Sequence, residues 1–160
     1  MDYLWTPWRY RYIANADKDS LCIFCDALAA GDEKARIVLR GELNFIILNA
    51  FPYTSGHVMI VPYEHVADLK DCKLEALAEM MRLAQRVERA LTAEYKPAGF
   101  NLGMNLGRSA GAGVTGHLHM HVLPRWNGDS NFMTTVSETR VVPEDLDTTF
   151  QKLRRALGAK

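Results

Sequence analysis

The 160-residue chain reads as an α+β domain: an antiparallel sheet of about five strands, one long helix and a C-terminal helix. Two patterns point there. Short Ile- and Val-rich segments alternate with turn residues, and one long segment repeats apolar residues at three- and four-residue steps. Most connections are also too short for crossovers, which favours antiparallel pairing.

The first 20 residues form an aromatic arm, with Tyr3, Trp5, Trp8, Tyr10 and Tyr12. That density is unlike a disordered tail. The arm reads either as packed on the domain or a partner subunit, or as offering a ring for stacking on a nucleobase. Arg36–Arg40, Asn44–Ala50 and His57–Val61 then read as strands, punctuated by Gly41-Glu42 and by Pro52 to Gly56. From Lys73 to Tyr95 the period changes. Leu74, Leu77, Ala78, Met81, Ala84, Val87 and Leu91 make one helical stripe, with Asp71 as N-cap and Pro97-Ala98-Gly99 as the stop. Phe100–Leu106 and Gly116–Leu123 are two further strands joined by a glycine-rich loop, and Leu146, Phe150, Leu153 and Leu157 mark a helix after Pro143. The expected organisation is a single domain over 1–160, with its core at 22–125 and an extension at 126–160.

Lys+Arg and Asp+Glu both number 19, so the net charge is zero. A protein built to hold long nucleic acid needs excess cations against closely spaced phosphates, so a nucleic-acid polymer is not the expected partner. A small anion needs only a local site. No apolar run approaches the roughly 20 residues that span a bilayer, and charges break up the first 30, so a cytoplasmic protein without a membrane partner is expected. Three cysteines, two of them as Cys22-x-x-Cys25, do not make a disulfide framework.

Three of the five histidines fall within five residues, as His117-Leu118-His119-Met120-His121. In extended chain His117, His119 and His121 share one face, while Leu118, Met120 and Val122 face the other way. Three imidazoles gain little as core packing, and such groups concentrate at sites. Two chemistries fit: a metal site with further ligands from elsewhere, or a nucleophilic imidazole whose neighbours fix its tautomer. The preceding loop, Gly107-Arg108-Ser109-Ala110-Gly111-Ala112-Gly113-Val114-Thr115-Gly116, brings backbone N–H groups suited to phosphate oxygens. Its Gly111 to Gly116 spells G-x-G-x-x-G but opens a strand where a dinucleotide motif must open a helix. A nucleophilic imidazole beside a phosphate cradle suits phosphoryl or nucleotidyl transfer.

At this point the sequence resembles the histidine-triad (HIT) superfamily of nucleotide hydrolases and transferases. The signature His-φ-His-φ-His-φ-φ, with φ apolar, is matched from His117 to Leu123. Asn49 to Pro62 resembles the family's ribose-binding Asn followed by its Gly-His-hydrophobic-Pro strand. The opening LWTPWRYRYI and the later RWNGDSNFM resemble a bacterial subgroup that includes diadenosine tetraphosphate phosphorylases. The resemblance implies that His119 is the nucleophile, that His121 contacts the scissile phosphate, and that His57 stands behind them. It places Asn49 on the ribose and Asn105 on the phosphates. The loop itself, through its backbone N–H groups and hydroxyls, offers Ser109, Gly113 and Thr115 as further phosphate contacts. The family fold is an α+β domain, commonly a homodimer. One departure stands out: many members carry Gln or Ser just before the first His, where this chain has Gly113-Val114-Thr115-Gly116. Either backbone N–H groups and Ser109 take over, or the reaction differs from simple hydrolysis.

Related branches tie a C-x-x-C to a downstream His and to the first His of the row with structural zinc. By that resemblance the ligands are Cys22, Cys25, His65 and His117, leaving His119 free. Cys72 is expected only to pack. The expected function is cleavage of a dinucleoside polyphosphate, arriving as its Mg²⁺ complex, through a nucleotidyl-His119 intermediate. A nucleoside phosphoramidase and a non-catalytic nucleotide-binding protein are the alternatives.

Overall fold

Five strands pair antiparallel in the order β1-β2-β3-β5-β4: β1 (Ile37–Arg40), β2 (Asn44–Leu48), β3 (Val58–Pro62), β4 (Gly99–Gly103) and β5 (Met120–Arg125). This is a computed structural model, and it describes residues 22–130, 132–136 and 142–158. The aromatic arm at 1–20 lies outside the described residues. So does part of the extension at 126–160. Around the sheet stand helices α1 (Ile23–Ala30), α2 (Asp32–Ala35), α3 (Leu74–Tyr95), α4 (Phe132–Val136) and α5 (Leu146–Leu157). The expected sheet, long helix and C-terminal helix are all present.

The central strands β2 and β3 are buried along their whole length, which explains their unbroken apolar runs. One sheet face packs Val38, Ile46, Val58, Ile60, Met120 and Val122 against α3 and α5. The opposite face packs Ile37, Phe45, Ile47, Met59 and Val61 against Phe24 of α1. No helix of the described residues is long and apolar enough to cross a membrane.

Helix α3 lies where its stripe predicts, but its first half is rotated from expectation. Leu74 and Met81 are exposed (78% and 55%), and Ala78 is exposed too, while Ala76, Glu79, Met80 and Leu83 face inward. The cause is Glu79. Its buried carboxylate accepts N–H bonds from Glu42 (2.7 Å) and Leu43 (2.8 Å) and the Asn44 amide (2.7 Å), closing the β1–β2 turn. A charged residue on the inward face hid that face from the apolar pattern. Asp71 is not the N-cap: it ends a 3₁₀ turn (Leu69–Asp71), and Lys73 takes the cap position. Cys72 packs with Ala76 and Leu118, and burial pushes its thiol pKa up.

Helices α1, α2 and α4 went unforeseen because each is too short for a clear period. The strand expected from Gly116 begins at Met120 instead. Pro62 has no N–H to continue the ladder. Its carbonyl accepts the His117 imidazole, and the Leu118 N–H goes to the Val66 carbonyl at 2.7 Å.

Candidate active site

Pairing of β3 with β5 sets Met59 opposite His121 and brings His57, just before β3, beside the histidine row. Gly56 supplies the turn into β3 at φ +81°, and a Cβ there would sit 2.7 Å from Leu91 Cδ2. Any larger residue would press on Leu91 and Pro124 at the residue before His57.

The hydrogen bonds assign each tautomer. The Tyr53 N–H donates to His57 Nδ1 at 3.2 Å, and the Asn49 amide nitrogen approaches the same atom at 3.3 Å. His57 Nδ1 therefore accepts, and Nε2–H donates to His121 Nδ1 at 2.9 Å. His121 in turn keeps its proton on Nε2. His119 Nδ1–H donates to the His117 carbonyl at 2.8 Å, which leaves the lone pair on Nε2. The His119 and His121 rings meet edge to face at 5.0 Å. Desolvation by burial, then the neighbouring His121 and His119, pushes His57 down to about 3. Burial, then His119, pushes His121 down to about 4, and burial also lowers His119. All three rings are neutral at neutral pH, so His119 presents an unprotonated nitrogen.

His119 and His121 line a cavity of about 270 Å³. Asn49, Asn105, Gly111 and Gly113 join them there, and the apolar side chains of Ile23, Phe24 and Ala27 of α1 line it too. Asn49 is held in place as its Oδ1 accepts the Phe51 N–H at 2.9 Å. His57 stands behind His121, outside the lining. Ser109 and Thr115 are exposed and do not line the cavity. Phe24 and Tyr53 were missed by sequence reasoning. Phe24 lies 5.1 Å from the His119 ring, and Tyr53 packs on His57 at 4.9 Å. Their only sequence signal is proximity to Cys22-x-x-Cys25 and to His57.

At the other end of the row, Cys22, Cys25, His65 and His117 offer ligand atoms all within 4.8 Å of one another. His117 Nε2–H donates to the Pro62 carbonyl at 2.9 Å, which leaves Nδ1 facing Cys22 Sγ at 3.2 Å. Two thiols and two imidazoles, one already oriented by a carbonyl, can hold a metal ion. This closed nitrogen-and-sulfur set fits zinc.

The HIT domain family model matches residues 30–128, which include His57, the glycine loop and the whole histidine row. This chain belongs to the HIT-domain family. The HIT match begins after Cys22 and Cys25. Among HIT relatives, the AP-4-A phosphorylase of Mycobacterium tuberculosis is 41% identical over 149 residues, covering 88% of this chain and 76% of that protein. A zinc-bound histidine triad family protein from Mycobacterium smegmatis superposes with a TM-score of 0.70 at 34% identity, over 86% of this chain and 93% of that one. A hypothetical histidine triad nucleotide-binding protein from Sulfolobus tokodaii also gives 0.70, at 27% identity, over 86% and 92%.

Proposed function

We propose that this HIT protein cleaves a dinucleoside polyphosphate such as diadenosine tetraphosphate through a covalent nucleotidyl-His119 intermediate. The carrying observation is the His119 ring, its Nδ1–H held by the His117 carbonyl and its Nε2 lone pair left free in a residue that lines the cavity. Nε2 attacks the α-phosphorus as the bond to the polyphosphate oxygen breaks and ATP leaves. His121 Nε2–H donates to the phosphate as charge gathers on its oxygens, and His57 holds His121 in that tautomer. Asn49 takes the ribose hydroxyls, and Asn105 and the Gly113 backbone take phosphate oxygens. An acceptor then displaces His119 from phosphorus and frees the ring. Phosphate as acceptor releases ADP; water releases AMP. The 41% identity to an AP-4-A phosphorylase supports phosphate.

Among the described residues no acidic side chain lines the cavity, so an accompanying Mg²⁺ would travel on the substrate's phosphates. Zinc at the four-ligand cluster is structural, because a closed site leaves no position for substrate. The dithiol cluster suits a reducing, cytoplasmic setting. A homodimer is part of this reading, and β4, at the sheet edge among the described residues, offers an edge for pairing. A sedimenting monomer at micromolar concentration would remove it.

The deciding assay incubates the protein with diadenosine tetraphosphate, with and without inorganic phosphate. The expected products are ATP and ADP, with phosphate required; ATP and AMP would make it a hydrolase. No cleavage, with turnover of adenosine phosphoramidate instead, would overturn the substrate class. His119→Ala should lose covalent labelling and turnover and keep nucleotide binding. Wild-type turnover in that variant removes His119 from its role.

A further inference from the structure

One turn of α1 serves two sites. Cys22 occupies its N-cap position and Cys25 lies three residues on, and both face the metal cluster. Between and just beyond them, Ile23, Phe24 and Ala27 line the cavity. The Phe24 ring meets His117, a cluster ligand, edge-on at 5.4 Å and His119 at 5.1 Å. Among the described residues, α1 is otherwise held by Phe24, by the half-buried Ala27 and Leu28 at the edge of the core, and by the Leu28 carbonyl, which accepts from Arg40 at 3.5 Å. The helix is eight residues long, too short to be stable alone. Its N-cap side chain makes no capping hydrogen bond, and Phe24 is its one buried residue. The cysteines meet partners remote in sequence: Cys22 Sγ lies 3.2 Å from His117 Nδ1, and Cys25 Sγ 3.5 Å from His65 Nδ1. A metal ion there joins α1 to the chain after β3 and the chain before β5.

We infer that the Cys22–Cys25–His65–His117 cluster is a clasp that seats the α1 wall of the cavity, so that metal and nucleotide bind cooperatively. The inference rests on the nucleotide reading above. Phe24 is the positioning residue of this link, since it touches both His117 and His119. The sheet does not depend on the clasp, because its other face is closed by α3 and α5.

Coupling of this kind is reciprocal: the factor by which metal tightens nucleotide binding is the factor by which nucleotide tightens metal binding. The probes are AMP and zinc. AMP affinity is measured by calorimetry on zinc-loaded and chelator-stripped protein, and zinc affinity by competition with a chelating dye, with and without saturating AMP. Both affinities should shift by the same factor, about tenfold or more, while the stripped protein keeps a cooperative melt above the assay temperature. AMP binding with no shift in zinc affinity overturns the coupling and leaves the nucleotide reading standing. No AMP binding to the loaded protein overturns both. A stripped chain without a cooperative melt also overturns the inference, because the metal would then hold the whole fold. Phe24→Leu, which keeps all four ligands, should bind zinc stoichiometrically and AMP several-fold more weakly; wild-type AMP affinity overturns the link.

Discussion

His57 shows how burial, more than sequence, sets what a histidine does. It is 1% exposed, accepts from Tyr53 and donates to His121, so it stays neutral far below its ordinary value of 6.5. The folded chain releases this proton at about 3, while the unfolded chain binds it near 6.5. Between those values the unfolded state holds more protons, so this contribution is fully present above 6.5 and lost as the pH falls. The slope from His57 approaches about 1.4 kcal/mol per pH unit. Urea denaturation should therefore show lower stability at pH 5 than at pH 7, with a shallower dependence in His57→Gln. Equal stability of the native chain at both pH values would contradict the buried neutral ring. Gly56→Ala places a methyl against Leu91 at positive φ and should cost roughly 2 kcal/mol or more. Turnover should fall with it, since a backbone shift at this turn passes to His57, the next residue.

Glu79 governs the β1–β2 connection from a different element. Burial raises its carboxyl pKa, but the bonds from Asn44 and from the Glu42 and Leu43 N–H groups outweigh that, so it is ionised more readily than an ordinary Glu. Glu79→Ala would strand these donors and should cost about 3 kcal/mol in a urea titration. Glu79→Gln should cost less, because one acceptor remains. This contact also marks how far α3 was legible. The helix and its second half, through Ala84, Val87 and Leu91, follow from periodicity alone. Which way Leu74 and Met81 face could not, because the inward carboxylate is satisfied by a turn more than 30 residues earlier. Strands β1 to β3 were legible for the opposite reason: their apolar runs and turns are local signals.

Across the whole molecule the sheet separates two tasks. The α3 and α5 side is the larger core. Phe150→Ala there should cost about 3–5 kcal/mol yet leave turnover per folded molecule unchanged, measured by urea denaturation beside active-site titration. The α1 side carries the cavity and the Cys22–Cys25–His65–His117 cluster. The histidine row was readable because three imidazoles alternate within five residues, and the family resemblance carried the cysteines to His65 and His117. The cavity wall was not readable. Phe24 meets the row across more than 90 residues, and Tyr53 acts partly through a backbone N–H that any residue but proline supplies.

Pro62 gives the histidine row its two halves. With no N–H to offer, it ends the ladder, and its free carbonyl fixes the imidazole of His117. Sheet length and metal geometry are thus rival claims on one oxygen. A β5 lengthened by one rung would take that oxygen for backbone and free the His117 ring, so the limit on the strand is itself a condition for the cluster to be able to hold an ion.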